Sequence, residues 1–277
     1  MRRRYRRGMR PWLGFLLGCL LVPWPALGAV SSPEQAGTQL ARKIYNRPDG
    51  KDVSSRATML LVDPGHAPRV RQMYVYRRDE GKGRTESLIR FVAPTDIAGT
   101  GLLTIDYPGD KTDQWIYLPA LDRARRIASS RKGGRFVGSD IFYEDLRDRE
   151  VSMDHHRLLR KEKYQGVQCD VLESVPVNPD NSVYSKRVSW VYPATLIPLR
   201  VDFYERGSDK PVKRSTVQRI EKIQGYWTIM DSMMTDLRTG HQTRIKVDAI
   251  VYDRGLPAEL FSRKILADPA REIPFRP

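Results

Sequence analysis

Two segments of the chain concentrate the side chains that metal binding or acid–base catalysis would need. One holds Asp154, His155 and His156, and the other holds four acids between Asp140 and Asp148. Neighbouring residues point to opposite faces of a strand and lie about 100° apart on a helix, so the two histidines are poorly placed to share a metal ion. Arginines accompany the acids, which is typical of surface ion pairs. We therefore predict no metal site and no catalytic residue in either segment.

Nucleophile and nucleotide-binding patterns are incomplete. The chain has no Gly-x-Ser-x-Gly elbow, and Gly138-Ser139-Asp140 is typical of a turn. The run Lys132-Gly133-Gly134-Arg135 lacks the Gly-Lys-Ser/Thr ending of a phosphate-binding loop and predicts a basic turn. Cys169 lies in a strand-like segment, where we predict a buried and inert thiol. The sequence therefore indicates no cofactor.

The N-terminus has the pattern of an export signal. Arginines continue to Arg10, an apolar run follows at Trp12–Val22, and Ala26–Ala29 supplies the small residues of a cleavage site. The apolar run is about half the roughly 20 residues that a membrane-spanning helix needs. We predict a signal peptide over residues 1–28, cleaved near Gly28, and a periplasmic protein. The alternative is a lipoprotein anchored at Cys19, although apolar sequence continues past that residue.

The net charge of +15 falls to +9 once the six arginines of the first ten residues are set aside. Part of the remaining surplus lies between residues 123 and 135. We predict that four of these basic side chains face a membrane surface or a partner: Arg125, Arg126, Arg131 and Lys132. An exported protein is not expected to bind nucleic acid, so the charge favours a transient contact with anionic lipid or an acidic partner.

The mature chain is predicted to begin with one amphipathic helix. Ser32 precedes Pro33, and Gln35 follows in the position that completes a capping box. Apolar residues then recur at every fourth position, at Ala36, Leu40 and Ile44. The turn-forming run Asn46–Gly50 ends the helix.

Beyond Ser54 the apolar pattern has the period of strands. Short β-branched and aromatic runs begin about 12 residues apart, with little helical sequence between them, which predicts an antiparallel meander. The runs are 58–62, 71–77, 86–92, 101–107, 114–118, 166–174, 184–191, 199–204, 211–223, 226–236 and 241–252. Residues 142–146 and 151–162 are predicted to form a short helical or irregular interlude, and 257–266 a final helix. A mainly β sheet of about eleven strands would curl into a barrel or a partial barrel.

Aromatic residues within these strands are the candidates for binding an apolar ligand. They include Trp115, Tyr117, Trp190 and Phe203. Strands with apolar residues on both faces need cover on both faces, which helices in the concavity of a curved sheet could supply. Composition alone does not separate a filled core from an open cavity for acyl chains, so both interpretations stay open.

Several motifs in a fixed order resemble one family of exported bacterial proteins, the outer-membrane lipoprotein-sorting proteins, which are relatives of the LolA and LolB lipoprotein carriers. The motifs are Phe91–Leu103, Trp115–Leu121, Arg125-Arg126-Ile127, Phe136–Leu146, Pro198–Tyr204 and Thr239–Thr243. The resemblance extends over roughly residues 35–266. It implies that residues 29–277 form a single domain, a half-barrel whose concave face is covered by helices and encloses a hydrophobic cavity. It implies no enzymatic activity and supplies no catalytic residue.

The resulting expectation is a periplasmic carrier. It would bind the acyl chains of a lipoprotein or lipid and pass them towards the outer membrane, and family resemblance suggests an RND-type exporter as a partner. The alternative is an accessory subunit of an envelope lipid-export complex that carries nothing. A hydrolase that uses Asp140 or His155 is a third, weaker hypothesis.

Overall fold

The computed structural model describes residues 31–277. The predicted signal peptide, the cleavage position near Gly28 and Cys19 all lie outside the described residues. No helix among residues 31–277 has the length and apolar character needed to cross a membrane.

Strands dominate this part of the chain. The two α-helices are α1 (Pro33–Tyr45) and α2 (Arg263–Leu266), and short 3₁₀ turns connect many of the strands. The strands are β1 (Asp52–Val62), β2 (Arg69–Gly81), β3 (Arg84–Ala93), β4 (Gly101–Asp106), β5 (Thr112–Leu118), β6 (Arg123–Arg126), β7 (Asp154–Tyr164), β8 (Val167–Pro176), β9 (Lys186–Tyr192), β10 (Ile197–Tyr204), β11 (Lys213–Ile223), β12 (Tyr226–Asp236) and β13 (Gln242–Tyr252).

All thirteen described strands form one sheet in the order β6-β5-β4-β3-β2-β1-β13-β12-β11-β10-β9-β8-β7. The first and last strands, β1 and β13, pair at the centre, while β6 and β7 are the two edges. Residues 127–153 must therefore connect one edge of the sheet to the other. The predicted mainly β, antiparallel architecture is confirmed.

The strand count differs from the prediction because both edge strands were missed. Residues 154–164 form β7, not an irregular interlude. A register shift between Leu158 and Arg160 interrupts the alternation of this strand and leaves two leucines adjacent, so the period of two is hidden. At the other edge, β6 has only four residues and three of them are arginines.

Helix α1 begins as the sequence predicts. The hydroxyl of Ser32 accepts a hydrogen bond from the backbone N–H of Gln35, whose side chain accepts one from the N–H of Ser32. The helix packs on β7 and β8, with Leu40 and Ala41 in contact with a cluster that includes Leu172. This contact buries the apolar stripe that the fourfold spacing predicted.

Alternation along the strands divides the sheet into two faces. We call the face that carries Met73, Ile89 and Leu102 the inner face, and the face that carries Tyr76 and Leu88 the outer face. Helix α1 lies on the inner face at β7 and β8, because its partner Leu172 belongs to that face through its pairing with Ser189.

The inner face is concave, and the hydrogen bonds of the Arg147 side chain demonstrate this. Arg147 donates to Oγ1 of Thr112 (2.8 Å), at the start of β5, and to Oδ1 of Asn181 (3.5 Å), in the loop between β8 and β9. In a flat sheet β5 and β9 would lie about 40 Å apart. A single guanidinium reaches both, so the sheet curls strongly around its inner face while β6 and β7 remain unpaired with each other.

The chain after β13 covers the outer face at β2–β5. Leu260, Phe261 and Leu266 pack against a cluster that includes Tyr76 and Leu88. The predicted helix over 257–266 is split into a 3₁₀ turn and α2, because Ser262 is extended and its hydroxyl caps α2 at the N–H of Ile265. This helical segment therefore lies on the outer face, in contrast to the helices expected across the concavity.

A buried ion pair fixes this C-terminal segment to the sheet. Arg90 of β3 donates from Nη2 to Oε1 of Glu272 (2.5 Å) and to the carbonyl oxygen of Leu266 (2.7 Å). Both charged side chains are completely buried. Since a charge inside a protein is costly unless it is paired, each partner depends on the other.

The close approach of α1 to β7 gives a first prediction. A Cβ at Gly37 would lie 2.7 Å from the backbone Cα of Arg157, so we expect Gly37→Ala to destabilise the protein by about 1–3 kcal/mol. The expected sign is the reverse of the usual gain from replacing a helical glycine with alanine. Urea unfolding measures the effect, and Gln39→Ala, at an exposed position of the same helix, is the control. A stabilised Gly37→Ala protein would contradict the tight contact.

The Arg90–Glu272 pair gives a second prediction. Arg90→Met leaves a buried carboxylate without its partner, and we expect a loss of about 3–5 kcal/mol in the free energy of unfolding. Arg271→Met is the matched control, since it removes an exposed ion pair with Asp268 in the same segment and should cost less than about 1 kcal/mol. Equal losses in the two variants would show that the buried pair has no special role.

Candidate functional site: the inner face and its cover

Residues 127–153, which we call the cover, lie on the inner face. They contain 3₁₀ turns at Phe136–Gly138, Tyr143–Leu146 and Val151–Met153, and no α-helix. Phe136 and Ile141 enter the apolar cluster of the inner face, and the ring centroids of Phe136 and Phe91 lie 5.6 Å apart. The concavity next to β1–β4 is therefore filled by the chain's own side chains.

A second apolar contact joins the cover to the other half of the sheet. The ring of Phe142 is nearly parallel to that of Tyr184, with centroids 6.1 Å apart, and Tyr184 lies 4.8 Å from Phe203 of β10. These three side chains form one buried cluster. The cover thus touches inner-face strands on both sides of the sheet's centre.

Asp140 anchors the cover to β13 and its preceding turn. Its Oδ2 accepts a hydrogen bond from the hydroxyl of Thr243 (2.8 Å) and lies 2.5 Å from Nδ1 of His241, while Oδ1 pairs with Arg135 (3.0 Å). The backbone N–H of Asp140 also donates to the Thr243 hydroxyl (2.9 Å). Asp140 is completely buried and fully bonded, so its role in this structure is to hold the cover.

Asp145 anchors the cover to β11. Its carboxylate accepts hydrogen bonds from Nζ of Lys213 (2.5 Å), from the hydroxyl of Tyr184 (2.8 Å) and from the N–H of Phe142 (2.7 Å). The Lys213 ammonium also lies 3.6 Å from the centroid of the Phe142 ring. Burial lowers the pKa of Lys213, and the charge of Asp145 opposes this effect. The pair is a charged anchor inside an aromatic cluster.

The acids of the cover were expected to form surface ion pairs, and that expectation is wrong for Asp140 and Glu144. Both are buried, and Glu144 accepts hydrogen bonds from the hydroxyl of Ser182 (2.5 Å) and the N–H of Val183 (2.7 Å). Glu144 bonds to the loop between β8 and β9, and Asp140 bonds to β13, so these carboxylates tie the cover to segments outside it. Sequence spacing alone gives no sign of such partners, which are about 40 to 100 residues away.

A cavity of about 620 Å³ remains open beside the cover. It lies between the end of α1, the inner-face residues of β2 and β3, and residues 145–148. Its charged lining includes Arg77, Asp79, Asp106 and Arg147. The unfilled part of the concavity therefore has a mixed lining, in which these charged groups lie beside apolar residues such as Val75 and Ile89.

Asp106 is the titratable group most affected by this setting. Burial raises its pKa from 3.8 to about 6, although hydrogen bonds from the N–H of Asp148 (2.9 Å) and the hydroxyl of Thr112 (2.6 Å) oppose the shift. A carboxylate with this pKa changes charge within the range in which histidine ordinarily titrates.

The four aromatic residues predicted to line a cavity do not lie together. Phe203 is on the inner face, beneath Tyr184 and Phe142. Trp115 and Tyr117 are on the outer face, packed with the C-terminal segment. Trp190 is also on the outer face, where the guanidinium of Arg200 lies 4.0 Å above its ring. Of the four, Phe203 alone shares a face with the cover, and a role in acyl binding stays a prediction.

The four basic residues that were predicted to face a membrane or a partner also lie in different environments. Arg125 and Arg131 are exposed, and Arg126 pairs with Asp113. Lys132 is partly buried, and its Nζ donates to Oδ1 of Asn181 (3.0 Å). Arg147, which the sequence analysis did not single out, joins Lys132 at the same asparagine oxygen.

The side chains considered for metal binding or catalysis do not lie together. His155 is exposed, whereas His156 is buried on the inner face, with Nδ1 2.9 Å from the hydroxyl of Ser174 and Nε2 2.9 Å from the carbonyl oxygen of Val151. The two histidines point to opposite faces, as predicted. Burial raises the pKa of the Cys169 thiol, and the residue is completely buried, which confirms that prediction. Among residues 31–277, no group of three or more His, Cys, Asp or Glu residues is arranged to hold a metal ion.

Comparisons with known proteins agree with this geometry. A protein-family model described as "Uncharacterized protein" matches residues 83–268. A crystal structure of a putative outer membrane lipoprotein-sorting protein domain from Vibrio parahaemolyticus is similar, with 30% identity, a TM-score of 0.80, and coverage of 84% of this chain and 99% of that chain. A DUF1329 family protein from Desulfovibrio piger has 33% identity, a TM-score of 0.81, and coverage of 85% and 100%.

A more distant structure, a LolA superfamily protein from Nitrosomonas europaea, has 20% identity, a TM-score of 0.64, and coverage of 84% and 99%. No curated protein matches the sequence. An open, curved antiparallel sheet with its concavity covered on the inner side defines a LolA-like fold. The chain belongs to the outer-membrane lipoprotein-sorting protein family, which confirms the resemblance seen in its motifs.

Asp106 gives a prediction about pH. The pKa of about 6 in the folded protein exceeds the ordinary 3.8, so the folded state holds this proton more tightly than the unfolded state. The associated stabilisation is complete below about pH 4 and is lost as the pH rises through 6. We expect Asp106→Asn to remove this loss, so the stability of the variant relative to wild type should rise by on the order of 2–3 kcal/mol between pH 4 and pH 7.

Urea unfolding at several pH values measures this difference. Asp209→Asn, at an exposed position between β10 and β11, is the control and should show little change with pH. A constant difference between Asp106→Asn and wild type across this range would contradict the assigned titration.

Proposed function

We propose that the protein is a periplasmic carrier that binds the acyl chains of a lipoprotein or lipid against its inner face. The observation that carries this proposal is the nature of the cover. It occupies the apolar concavity with a few side chains, contains no α-helix, and is held by discrete anchors such as Asp140 and Asp145. Such a segment can be displaced without unfolding the sheet beneath it.

Magnitudes support an exchange between cover and cargo. Removing Phe136, Ile141 and Phe142 from the concavity would cost about 5–9 kcal/mol at about 1.5–3 kcal/mol per side chain. Each buried hydrogen bond of the anchors that breaks would add roughly 0.5–3 kcal/mol. Burial of a 16-carbon acyl chain contributes about 12 kcal/mol at about 0.8 kcal/mol per methylene. A bound acyl chain would therefore offset the removal of these three side chains, and the anchors would favour return of the cover and release of the cargo.

The same proposal includes the partners expected from the family. The cargo would be transferred towards the outer membrane, with an RND-type exporter as a partner and with transient contact at a membrane surface. Transfer of this kind moves a hydrophobic chain between sites without making or breaking a covalent bond. It therefore requires no catalytic residue and no cofactor in this chain.

The test compares bound lipid in matched variants. The full-length gene is expressed with its N-terminus, the exported protein is purified, and acyl lipid is measured by native mass spectrometry and lipid extraction. Phe142→Ala weakens the cover, so we expect it to retain more acyl lipid than wild type. Phe261→Ala removes a buried phenylalanine from the outer face and should lower stability without increasing bound lipid.

A second candidate function is favoured by the filled apolar concavity. If the cover never leaves, the protein is an accessory subunit of an envelope complex and Phe136, Ile141 and Phe142 are ordinary core residues. Wild type and Phe142→Ala would then both lack acyl lipid, which would refute the carrier. Amide hydrogen exchange distinguishes the two functions independently. A carrier predicts that residues 134–147 exchange well before the centres of β1 and β13, and an accessory subunit predicts equal protection.

A further inference from the structure

A small basic cavity lies at the edge of the cover, where the turn between β4 and β5 approaches residues 126–132. Its volume is about 230 Å³, below the range of about 300–1,000 Å³ that is typical for drug-sized ligands. Four basic side chains line it: Lys111, Arg126, Lys132 and Arg147. The acidic residue in its lining is Asp110, which is exposed. A cavity of this size and sign suits a single compact anion.

Three of these cations form hydrogen bonds or cation–π contacts with neutral groups alone among residues 31–277. Arg147 donates to Oγ1 of Thr112 (2.8 Å), Oδ1 of Asn181 (3.5 Å) and the carbonyl oxygen of Asp110 (3.1 Å). Lys132 donates to the same Asn181 oxygen (3.0 Å), and Nζ of Lys111 lies 4.6 Å from the centroid of the Tyr107 ring. Arg126 differs, since it pairs with Asp113.

This concentration of positive charge is unfavourable without an anion. Burial lowers the pKa of Lys132, and the like charge of Arg147 lowers it further. Burial also lowers the pKa of Arg147, although nearby carboxylates, Asp106 foremost, oppose this shift. The nearest buried acid of the cover, Glu144, already accepts hydrogen bonds from Ser182 and Val183. The arrangement therefore has unused capacity to bind negative charge.

We propose that this cavity binds a phosphate group, held by Lys111, Lys132 and Arg147. Guanidinium and ammonium groups both donate charge-assisted hydrogen bonds to phosphate oxygens. The phosphate belongs either to a lipid headgroup or to a free anion. Arg147 lines both this cavity and the larger cavity of the inner face, so a headgroup bound here would lie beside the concavity. Binding of phosphate itself does not depend on the proposed carrier function.

The experiment titrates the purified protein with inorganic phosphate by calorimetry, at constant ionic strength with chloride as the reference anion. We expect saturable binding in wild type. Lys111→Gln/Lys132→Gln should weaken it by about tenfold or more, because it removes two charge-assisted contacts. The matched control is Arg125→Gln/Arg131→Gln, which makes the same change in net charge at exposed residues outside the cavity. The control should change affinity by less than about twofold.

Absence of saturable phosphate binding in wild type, or equal weakening in the two double variants, would overturn the proposal. Arg147→Lys is a further variant that keeps the charge but loses the planar donor pair. Arg147 also joins Thr112 to Asn181, so Arg147→Lys could be unstable. In that case the double variant of Lys111 and Lys132 decides the test. Thermal unfolding of every variant shows whether the fold is retained.

A second titration, with monomeric dihexanoyl phosphatidic acid, distinguishes the sources of phosphate. Binding that inorganic phosphate displaces would assign the site to a lipid headgroup. Binding of inorganic phosphate alone would assign it to a free anion, and both outcomes support a phosphate site. Failure of the acyl-lipid measurements together with intact phosphate binding would refute the carrier and leave this site standing.

Discussion

The fold depends on one geometric constraint, which is that the two edges of a thirteen-stranded sheet are joined by residues 127–153. Because β6 and β7 are consecutive strands at opposite edges, this connection has to cross a face of the sheet. Arg147 bonds to Thr112 and Asn181 at the same time, which requires the sheet to curl around this connection. Strand order therefore places the cover across one face, and the curl of the sheet makes that face concave.

The cover balances two opposing requirements. Its apolar side chains fill a concavity that would otherwise expose Met73, Ile89 and Phe91 to water, so it stabilises the empty protein. Its backbone has little regular structure, and buried acids such as Asp140 and Glu144 bond it to segments outside the cover. The contact between the cover and the sheet is therefore specific, but it depends on a few separate anchors. A regular helix packed along its whole length would be harder to displace.

The apolar residues of the outer face are covered by a different kind of segment. The C-terminal segment covers it at β2–β5, and the buried Arg90–Glu272 pair fixes the segment in one position. Under the proposed function, the C-terminal segment stays in place on the outer face while the cover moves on the inner face. The basic cavity with Lys132 and Arg147 lies at the edge of the cover, where a charged headgroup would meet solvent while its chain entered the concavity.

The sequence by itself determined the antiparallel β class, the capped first helix, the burial of Cys169 and, through its motifs, the family. These features depend on local periodicity, on hydrogen bonds between near neighbours, or on a long ordered motif. Only the tertiary structure decided that Phe203 shares the inner face with the cover while Trp115, Tyr117 and Trp190 do not, since alternation assigns residues to faces within a strand but does not say which face is concave. It also decided that Asp140 and Glu144 are buried anchors and that Lys132 and Arg147 converge, because their partners lie up to about 100 residues away and meet only when the sheet curls.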